Sequence, residues 1–263
     1  MTKPPIKIAV LLVLAVQSTP ADAQTLTTLY SFKGGADGQQ PQAGLLLQRG
    51  MLYGTTSAGG TSDLGTVFRV NPATGAETVL YDFAGGTDGE YPLAGLINHG
   101  GALYGVTSGG GASNAGTVFR ITLATGGETV LYSFAGDADG SSPYGGLIYQ
   151  GDDLYGTTAA GGGTDCGGSG CGTVFKVNPK TGVEAVIYRF DGITGNNPYG
   201  GLVYTGATLF GTTFNGGSSG NGTIFKLDPK TGTEAVLYSF KGNNAHPGYP
   251  DAALVSCLAN RFI

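Results

Sequence analysis

The chain has 263 residues, of which 50 are glycine and none is tryptophan; charged residues make up 12% and the formal net charge is −5. So few lysines and arginines exclude an electrostatic footprint for nucleic acid and a polybasic patch for anionic lipid. Unpatterned glycine at this level would suit a disordered chain. Here the glycines keep register with Leu, Tyr, Val and Phe, which points to ordered turns.

The chain opens with Lys3 and Lys7 around an apolar run, Ile8 to Val16, that is too short to span a bilayer as a helix. Ala21-Asp22-Ala23 then places small residues at the −3 and −1 positions of a cleavage site. This is the layout of a secretory signal peptide over residues 1–23, with cleavage expected after Ala23. No cysteine stands at the new N-terminus, so a bacterial lipid anchor is not expected. No later run is long and apolar enough for a membrane helix. The expected location is secreted, periplasmic or cell-surface.

From residue 24 onward the sequence repeats itself. Leu-Tyr-Gly-Thr-Thr stands at Leu52–Thr56 and Leu154–Thr158, with one Val at Leu103–Thr107 and Phe for Tyr at Leu209–Thr213. Gly-Thr-Val-Phe follows each, at Gly65, Gly116, Gly172 and Gly222 (with Ile224 for Val), so the steps are 51, 56 and 50 residues. A unit of that length cannot bury its own apolar face and must stack on its copies.

Residues 43–83 show one unit in order. Gly44 to Leu47 reads as a strand A, Met51 to Thr56 as B, Gly65 to Val70 as C and Glu77 to Phe83 as D. A Gly-Ser loop joins B to C. Asn71-Pro72-Ala73-Thr74-Gly75 turns C into D, with Pro setting one φ and Gly accepting a positive one. Four short strands without helical periodicity match a β-propeller blade. Near-continuous apolar runs fit a sheet covered on both faces by neighbours. Arg69 and Glu77, repeated as Arg120/Glu128, Lys176/Glu184 and Lys226/Glu234, are expected to face each other across the C–D hairpin as outer-edge ion pairs.

The fold class expected is therefore all-β: a β-propeller-like array of four complete four-stranded blades plus a partial fifth. The units run over about 33–83, 84–134, 135–190 and 191–240. The partial unit, 241–263, starts its strand A at Pro250-Asp251-Ala252-Ala253-Leu254 and stops where Phe262 aligns with Tyr53. A lone D strand at 25–32 precedes the first unit and would complete the last. Either the chain closes as a five-bladed ring with a defective blade, or it is a truncated or open arc, which the missing B and C strands favour.

The repeated Leu-Tyr-Gly-Thr-Thr, the Gly-rich loop, Gly-Thr-Val-Phe and Leu-Tyr-Ser-Phe resemble the GloVer-type tandem repeat of exported bacterial proteins described as choice-of-anchor. The resemblance covers the chain after its leader. It implies a secreted or surface propeller-like module and no particular reaction. No sorting segment is recognisable after Asn260.

In such a fold the B–C and D–A loops share one face. The D–A loops carry Asp37, Asp88 and Asp139, each followed by Gly, and Asp137 lies beside Asp139. These four are the candidate ligand-binding residues. Asp137 and Asp139 look like half of a calcium loop but lack an EF-hand's later ligands, and an Asp-Gly turn explains them equally. No other cofactor is indicated. Tyr53, Tyr104, Tyr155 and Phe210 would either line a channel or, as favoured, pack between blades. Cys166 and Cys171 read as a local disulfide in a five-residue insertion. Zinc would need further ligands than His99 and His246, which sit on different units. No nucleophile–base arrangement stands out, and the channel-mouth positions read as Gly, Ser and Thr. The function expected is non-catalytic surface interaction or structure, with an unknown extracellular ligand, glycan or protein. The rival is a module that binds or cleaves polysaccharide at the loop face.

Overall fold

The computed structural model describes residues 26–242 and 248–255. The leader at 1–23, His246, Cys257 and the strand-B remnant at Phe262 lie outside them. Among the described residues, strands form four antiparallel four-stranded sheets, and no helix is long and apolar enough to cross a membrane. The first sheet holds β1 (Leu46–Gln48), β2 (Met51–Thr56), β3 (Thr66–Val70) and β4 (Glu77–Asp82). The second holds β5 (Ile97–His99), β6 (Ala102–Thr107), β7 (Thr117–Thr122) and β8 (Glu128–Ser133). The third holds β9 (Ile148–Gln150), β10 (Asp153–Thr158), β11 (Thr173–Val177) and β12 (Glu184–Arg189). The fourth holds β13 (Val203–Thr205), β14 (Thr208–Thr213), β15 (Thr223–Leu227) and β16 (Glu234–Ser239). Each sheet pairs its strands in chain order. The first strands of successive sheets touch, β1 with β5, β5 with β9 and β9 with β13. Strands A therefore stand innermost around a common axis and strands D outermost, as in a propeller.

Each letter of Leu-Tyr-Gly-Thr-Thr has a physical task. Leu103, Leu154 and Leu209 are fully buried, and Tyr53, Tyr104 and Tyr155 fill the seams between blades, as the packing alternative for these rings requires. The glycine lies under the strand-C phenylalanine: a Cβ on Gly54 would stand 2.6 Å from Phe68 Cζ, and on Gly105 2.5 Å from Phe119 Cζ. The first Thr reaches the next blade, with Thr55 Oγ1 donating to Ala94 O (3.0 Å), Thr157 to Gly200 O (3.2 Å) and Thr212 to Ala252 O (3.0 Å). The last Thr joins its hydroxyl to the Thr of Gly-Thr-Val-Phe: Thr56 with Thr66, Thr107 with Thr117, Thr158 with Thr173 and Thr213 with Thr223, all at 2.8 Å. A buried hydroxyl without such a partner would cost about 1–3 kcal/mol.

Seams are built from aromatic edges. The Phe after each strand D meets the strand-C Phe of the following blade: Phe83 with Phe119 at 5.2 Å, Phe134 with Phe175 at 5.0 Å, and Phe190 with Phe225 at 5.2 Å, all edge-to-face. Residues 26–32 carry no strand ladder, contrary to the expectation of a D strand at 25–32. They nevertheless supply the side chains of one, because Phe32 packs edge-to-face on Phe68 at 4.9 Å. Among the described residues no strand C lies beside them to pair with. Where Tyr53 and Val67 fill the seam before the second blade, the first blade instead keeps an apolar cavity of about 420 Å³ between residues 28–32 and Leu45, Leu52, Phe68 and Val70. A fifth unit does begin: Thr212 holds Ala252 O as its counterparts hold the earlier strands A.

The C–D ion pairs expected from the sequence do not form across the hairpin. Arg69 faces Thr78 while Glu77 faces Val70, and Lys176 faces Ala185 while Glu184 faces Val177. Gly75, at φ 71°, closes the turn with its N–H on Asn71 O (2.8 Å). That left-handed residue sets the register one step from the symmetric one, and a one-residue slip puts Arg and Glu on opposite faces. The described ion pairs are instead Lys176–Asp153 (2.9 Å) and Lys180–Asp152 (3.2 Å).

Candidate functional site

The D–A and B–C loops share one face, tied by a backbone bridge at every unit: Gln39 with Ala58, Glu90 with Gly109, Ser141 with Ala160 and Asn196 with Asn215. The residue before the recurring proline of each unit, Gln40, Tyr91, Ser142, Asn197 and Tyr249, has φ between 54° and 63°. Such left-handed non-glycine residues persist only where surroundings over-determine them. Tyr91, Ser142 and Asn197 are each clamped between successive blades, while Gln40 accepts from Ser57 N and Tyr249 donates to Asn221 O. Tyr91 N donates to Leu64 O (2.9 Å) while its carbonyl accepts from Ser108 N (3.1 Å). Asn197 N donates to Cys171 O (3.0 Å) while its carbonyl accepts from Phe214 N (2.9 Å).

This repeated clamp delivers the residue after each proline to the axis. Gln42, Leu93, Tyr144, Tyr199 and Asp251, one from each unit, line a single cavity of about 440 Å³. Equivalent residues of successive units can meet only around the axis those units encircle. Glycine makes the close approach below them possible: a Cβ on Gly95 would meet Gly44 O at 3.2 Å, and on Gly201 would meet Gly146 O at 3.0 Å. The channel-mouth expectation of Gly, Ser and Thr is therefore corrected. Small residues do pack around the axis, but the mouth itself carries two tyrosines, an amide, a carboxylate and a leucine. The signal was present in the sequence: within a repeating proline followed two and three residues on by Gly or Ala, the residue after the proline changes from Gln to Leu to Tyr, Tyr and Asp.

An aromatic strip extends from the mouth across the loop face. Tyr144 meets Tyr199 edge-to-face at 5.3 Å, Tyr199 meets Phe214 at 5.3 Å, and Phe214 meets Tyr249 at 5.1 Å. Phe214 occupies the position of Ser57, Ser108 and Ala159 in the other units.

The aspartates named from the sequence have definite local partners. Asp37 Oδ2 accepts from Tyr30 OH (2.7 Å) and Lys33 N (2.9 Å). Asp88 accepts from Tyr81 OH and Ala84 N, both at 2.7 Å. Asp139 Oδ2 accepts from Tyr132 OH and Ala135 N, both at 2.8 Å. The fourth unit replaces this Asp by Thr194, whose hydroxyl meets Tyr188 OH at 2.8 Å. The bond to Asp37 pushes the Tyr30 phenol up to about 12, and the same bond holds the Asp37 carboxyl below its ordinary range. Asp137 is exposed, and its backbone carbonyl accepts from Gly162 N (2.6 Å). Among the described residues no group of three or more His, Cys, Asp or Glu is placed to hold a metal. The structure thus spreads these four aspartates over three units, with Asp137 and Asp139 on one loop, and does not gather them into one site.

Strand D of the next blade adds a glutamate beside each Tyr–Asp pair. Oε1 of Glu77, Glu128, Glu184 and Glu234 is buried without a protein hydrogen-bond partner. Burial, then the charge of Asp88, pushes the Glu128 carboxyl up to about 7. Burial and Asp139 do the same at Glu184, to about 7, against Arg189 and the Tyr132 hydroxyl. The residues that sequence reasoning assigned to surface ion pairs are thus acids in the seams. The disulfide expected between Cys166 and Cys171 is present, with an S–S distance of 2.01 Å. Cys171 is buried in the seam between the third and fourth blades, and a Cβ on Gly192 would lie 3.1 Å from Cys166 Sγ. His99 stacks on Tyr149 of the next blade at 3.6 Å.

Comparison with solved structures is consistent with this architecture. The extracellular domain of a hybrid two-component system of B. thetaiotaomicron superposes with TM-score 0.56 at 11% identity, over 81% of this chain and 24% of that one. A nidogen/laminin complex gives TM-score 0.49 at 14% identity over 72% of this chain and 60% of that one. TolB from Acinetobacter baumannii gives 0.47 at 14% over 77% and 43%. This chain thus spans under two thirds of each of these structures, and the likeness to the first is one of fold. No curated protein matches it. The model of the Gloeobacter/Verrucomicrobia repeat matches residues 15–169 and 138–262, and with its four copies of one blade the chain belongs to that repeat family.

Proposed function

We propose that the chain is an exported, non-catalytic binding module that holds an extracellular ligand at the axial mouth of its loop face. The observation that carries this reading is the convergence of Gln42, Leu93, Tyr144, Tyr199 and Asp251 on one cavity of about 440 Å³. That volume falls within the roughly 300–1,000 Å³ of ordinary ligand sites. The rest of the unit repeats, while this position varies, so a rigid scaffold presents a particular set of side chains.

Catalysis has less to support it. Acid–base cleavage of a glycosidic bond needs two carboxyl groups across the substrate, and among the described residues Asp251 is the one carboxylate lining the mouth. The glutamates pushed up to about 7 lie on the outermost strands. The Cys166–Cys171 disulfide suits an oxidising compartment, which fits export through the leader at 1–23.

The test is retention of the mature chain on polymer fractions prepared from the envelope and spent medium of a bacterium that carries it. Wild type should be retained, and the Tyr144→Ala/Tyr199→Ala double variant should not. Equal retention of both, with both folded by circular dichroism, would remove the axial site. Mass spectrometry of the exported protein should find Gln24 as its first residue.

A further inference from the structure

We infer that the axial mouth and its aromatic strip form a carbohydrate site for a neutral or amino-sugar chain; this rests on the reading of the mouth as a ligand site. Four observations converge on that class.

The first is the kind of surface. Tyr144, Tyr199, Phe214 and Tyr249 follow one another at 5.1–5.3 Å between ring centroids. They leave the axis and cross the loop face, and Tyr249 is 50% exposed. A row of aromatic rings offers apolar, electron-rich faces, which suit the C–H face of a pyranose, whose axial hydrogens carry partial positive charge.

The second is free polar capacity. The strand-D tyrosines have committed hydroxyls: Tyr30, Tyr81 and Tyr132 donate to Asp37, Asp88 and Asp139, and Tyr188 pairs with Thr194. Tyr144 and Tyr199 have no such tie among the described residues, and they share the mouth with the amide of Gln42 and the carboxylate of Asp251. Hydroxyl donors and acceptors, an amide and a carboxylate match the mixed donor–acceptor rim of a sugar.

The third excludes a peptide docked by strand addition. That mode needs unpaired backbone N–H and C=O groups. Around this mouth the loop backbones are already bridged to one another at Gln39/Ala58, Glu90/Gly109, Ser141/Ala160 and Asn196/Asn215. Recognition is left to side chains.

The fourth concerns charge. Among the described residues no Lys, Arg or His lines the cavity, and its one carboxylate is that of Asp251. Uronates, sulfated glycans and phosphorylated polymers would meet a carboxylate with no cation beside it. Neutral hexose and pentose chains, or amino sugars whose ammonium can face Asp251, remain.

The experiment uses the mature chain with its disulfide intact and calorimetric titration of four soluble probes: cello-, xylo-, manno- and chito-oligosaccharides. At least one should bind, with Tyr199→Ala weakening it at least tenfold and Asp251→Asn weakening it severalfold, most for an amino sugar. In parallel, the envelope fraction retained by the wild type is treated either with periodate, which cleaves vicinal diols, or with protease. Loss of retention after periodate and persistence after protease is the expected result. Retention that survives periodate and fails after protease overturns the carbohydrate assignment while leaving the axial site standing. Retention indifferent to Tyr144→Ala/Tyr199→Ala overturns the site itself. A probe that binds wild type and Tyr199→Ala equally also overturns the assignment.

Discussion

Replacing Glu184 by Gln should stabilise this protein at alkaline pH and leave its stability near pH 4 almost unchanged. Glu184 Oε1 is buried without a protein hydrogen-bond partner. Burial and the Asp139 carboxylate raise its ionisation to about 7 from an ordinary 4.5, with Arg189 and Tyr132 opposing. The folded chain therefore binds the proton more tightly than the unfolded chain. Its stabilising contribution is complete below about 4.5 and is lost as pH rises through about 7. At 1.36 kcal/mol per decade, the interval from 4.5 to about 7 sets a ceiling of roughly 3 kcal/mol. The carboxyl retains solvent access, so screening reduces this to about 1–2 kcal/mol. Gln keeps the shape and removes the charge. Thermal unfolding followed by far-ultraviolet circular dichroism at pH 5 and pH 8 should show a gain of about 3–6 °C for Glu184→Gln at pH 8 and less than about 1 °C at pH 5. Glu128→Gln should behave in the same way, because burial and Asp88 raise Glu128 to about 7 one seam earlier. A destabilised variant at pH 8, or one whose pH dependence equals that of the wild type, would refute the placement of these acids in the seams.

Other consequences concern packing and covalent closure. Phe175→Ala removes a fully buried ring that meets Phe134 edge-to-face at 5.0 Å, so unfolding in urea should show a loss of about 3–5 kcal/mol. Tyr132→Phe deletes the hydroxyl donated to Asp139 at 2.8 Å and should cost about 1–2 kcal/mol in the same assay. Gly116→Ala sets a methyl group against Thr107 O at a φ of 97°; the expected outcome is a clear fall in melting temperature, whereas the open turn at Gly100 should tolerate Ala far better. Reduction of Cys166–Cys171 opens a five-residue separation and should lower stability by about 2 kcal/mol, with faster amide exchange concentrated at residues 159–171 and 190–197.

Much of the blade was legible because its signals are local and fourfold. Leu-Tyr-Gly-Thr-Thr marked β2, β6, β10 and β14, and a turn ending in Thr-Gly, preceded by Asn-Pro in two copies and Asp-Pro in a third, marked the hairpins into the D strands. The seam role of Tyr53, Tyr104 and Tyr155 followed from repetition of a large ring in a sheet covered on both faces. Register was less accessible. A symmetric turn and one closed by a left-handed Gly75 differ by a single residue, yet that residue moved Glu77 and its copies from the strand face shared with Arg69 into the seam. The irregularity between Val67 and Phe68 left no mark in the residue pattern either. The Asp–Tyr bonds escaped notice because the Asp-Gly pair reads as a turn with or without them. The axial residues were missed for a different reason. Attention to what the copies share passes over Gln42, Leu93, Tyr144, Tyr199 and Asp251, which are the places where they differ. The start of the fifth unit, by contrast, was legible in Pro250-Asp251-Ala252-Ala253, since proline and small residues recur there in every copy.

The meeting of Gln42 and Asp251 at one mouth tests the central claim most directly, because these residues come from opposite ends of the repeat array. Cysteines placed at both positions, in a background with Cys257 replaced by Ser, can be treated with a short bis-maleimide and the products read by peptide mass spectrometry. An intramolecular 42–251 cross-link in the folded monomer, abolished by denaturation, is the result expected of units that encircle one axis. No 42–251 cross-link, where a second variant with cysteines at 42 and 93 does cross-link, would contradict it.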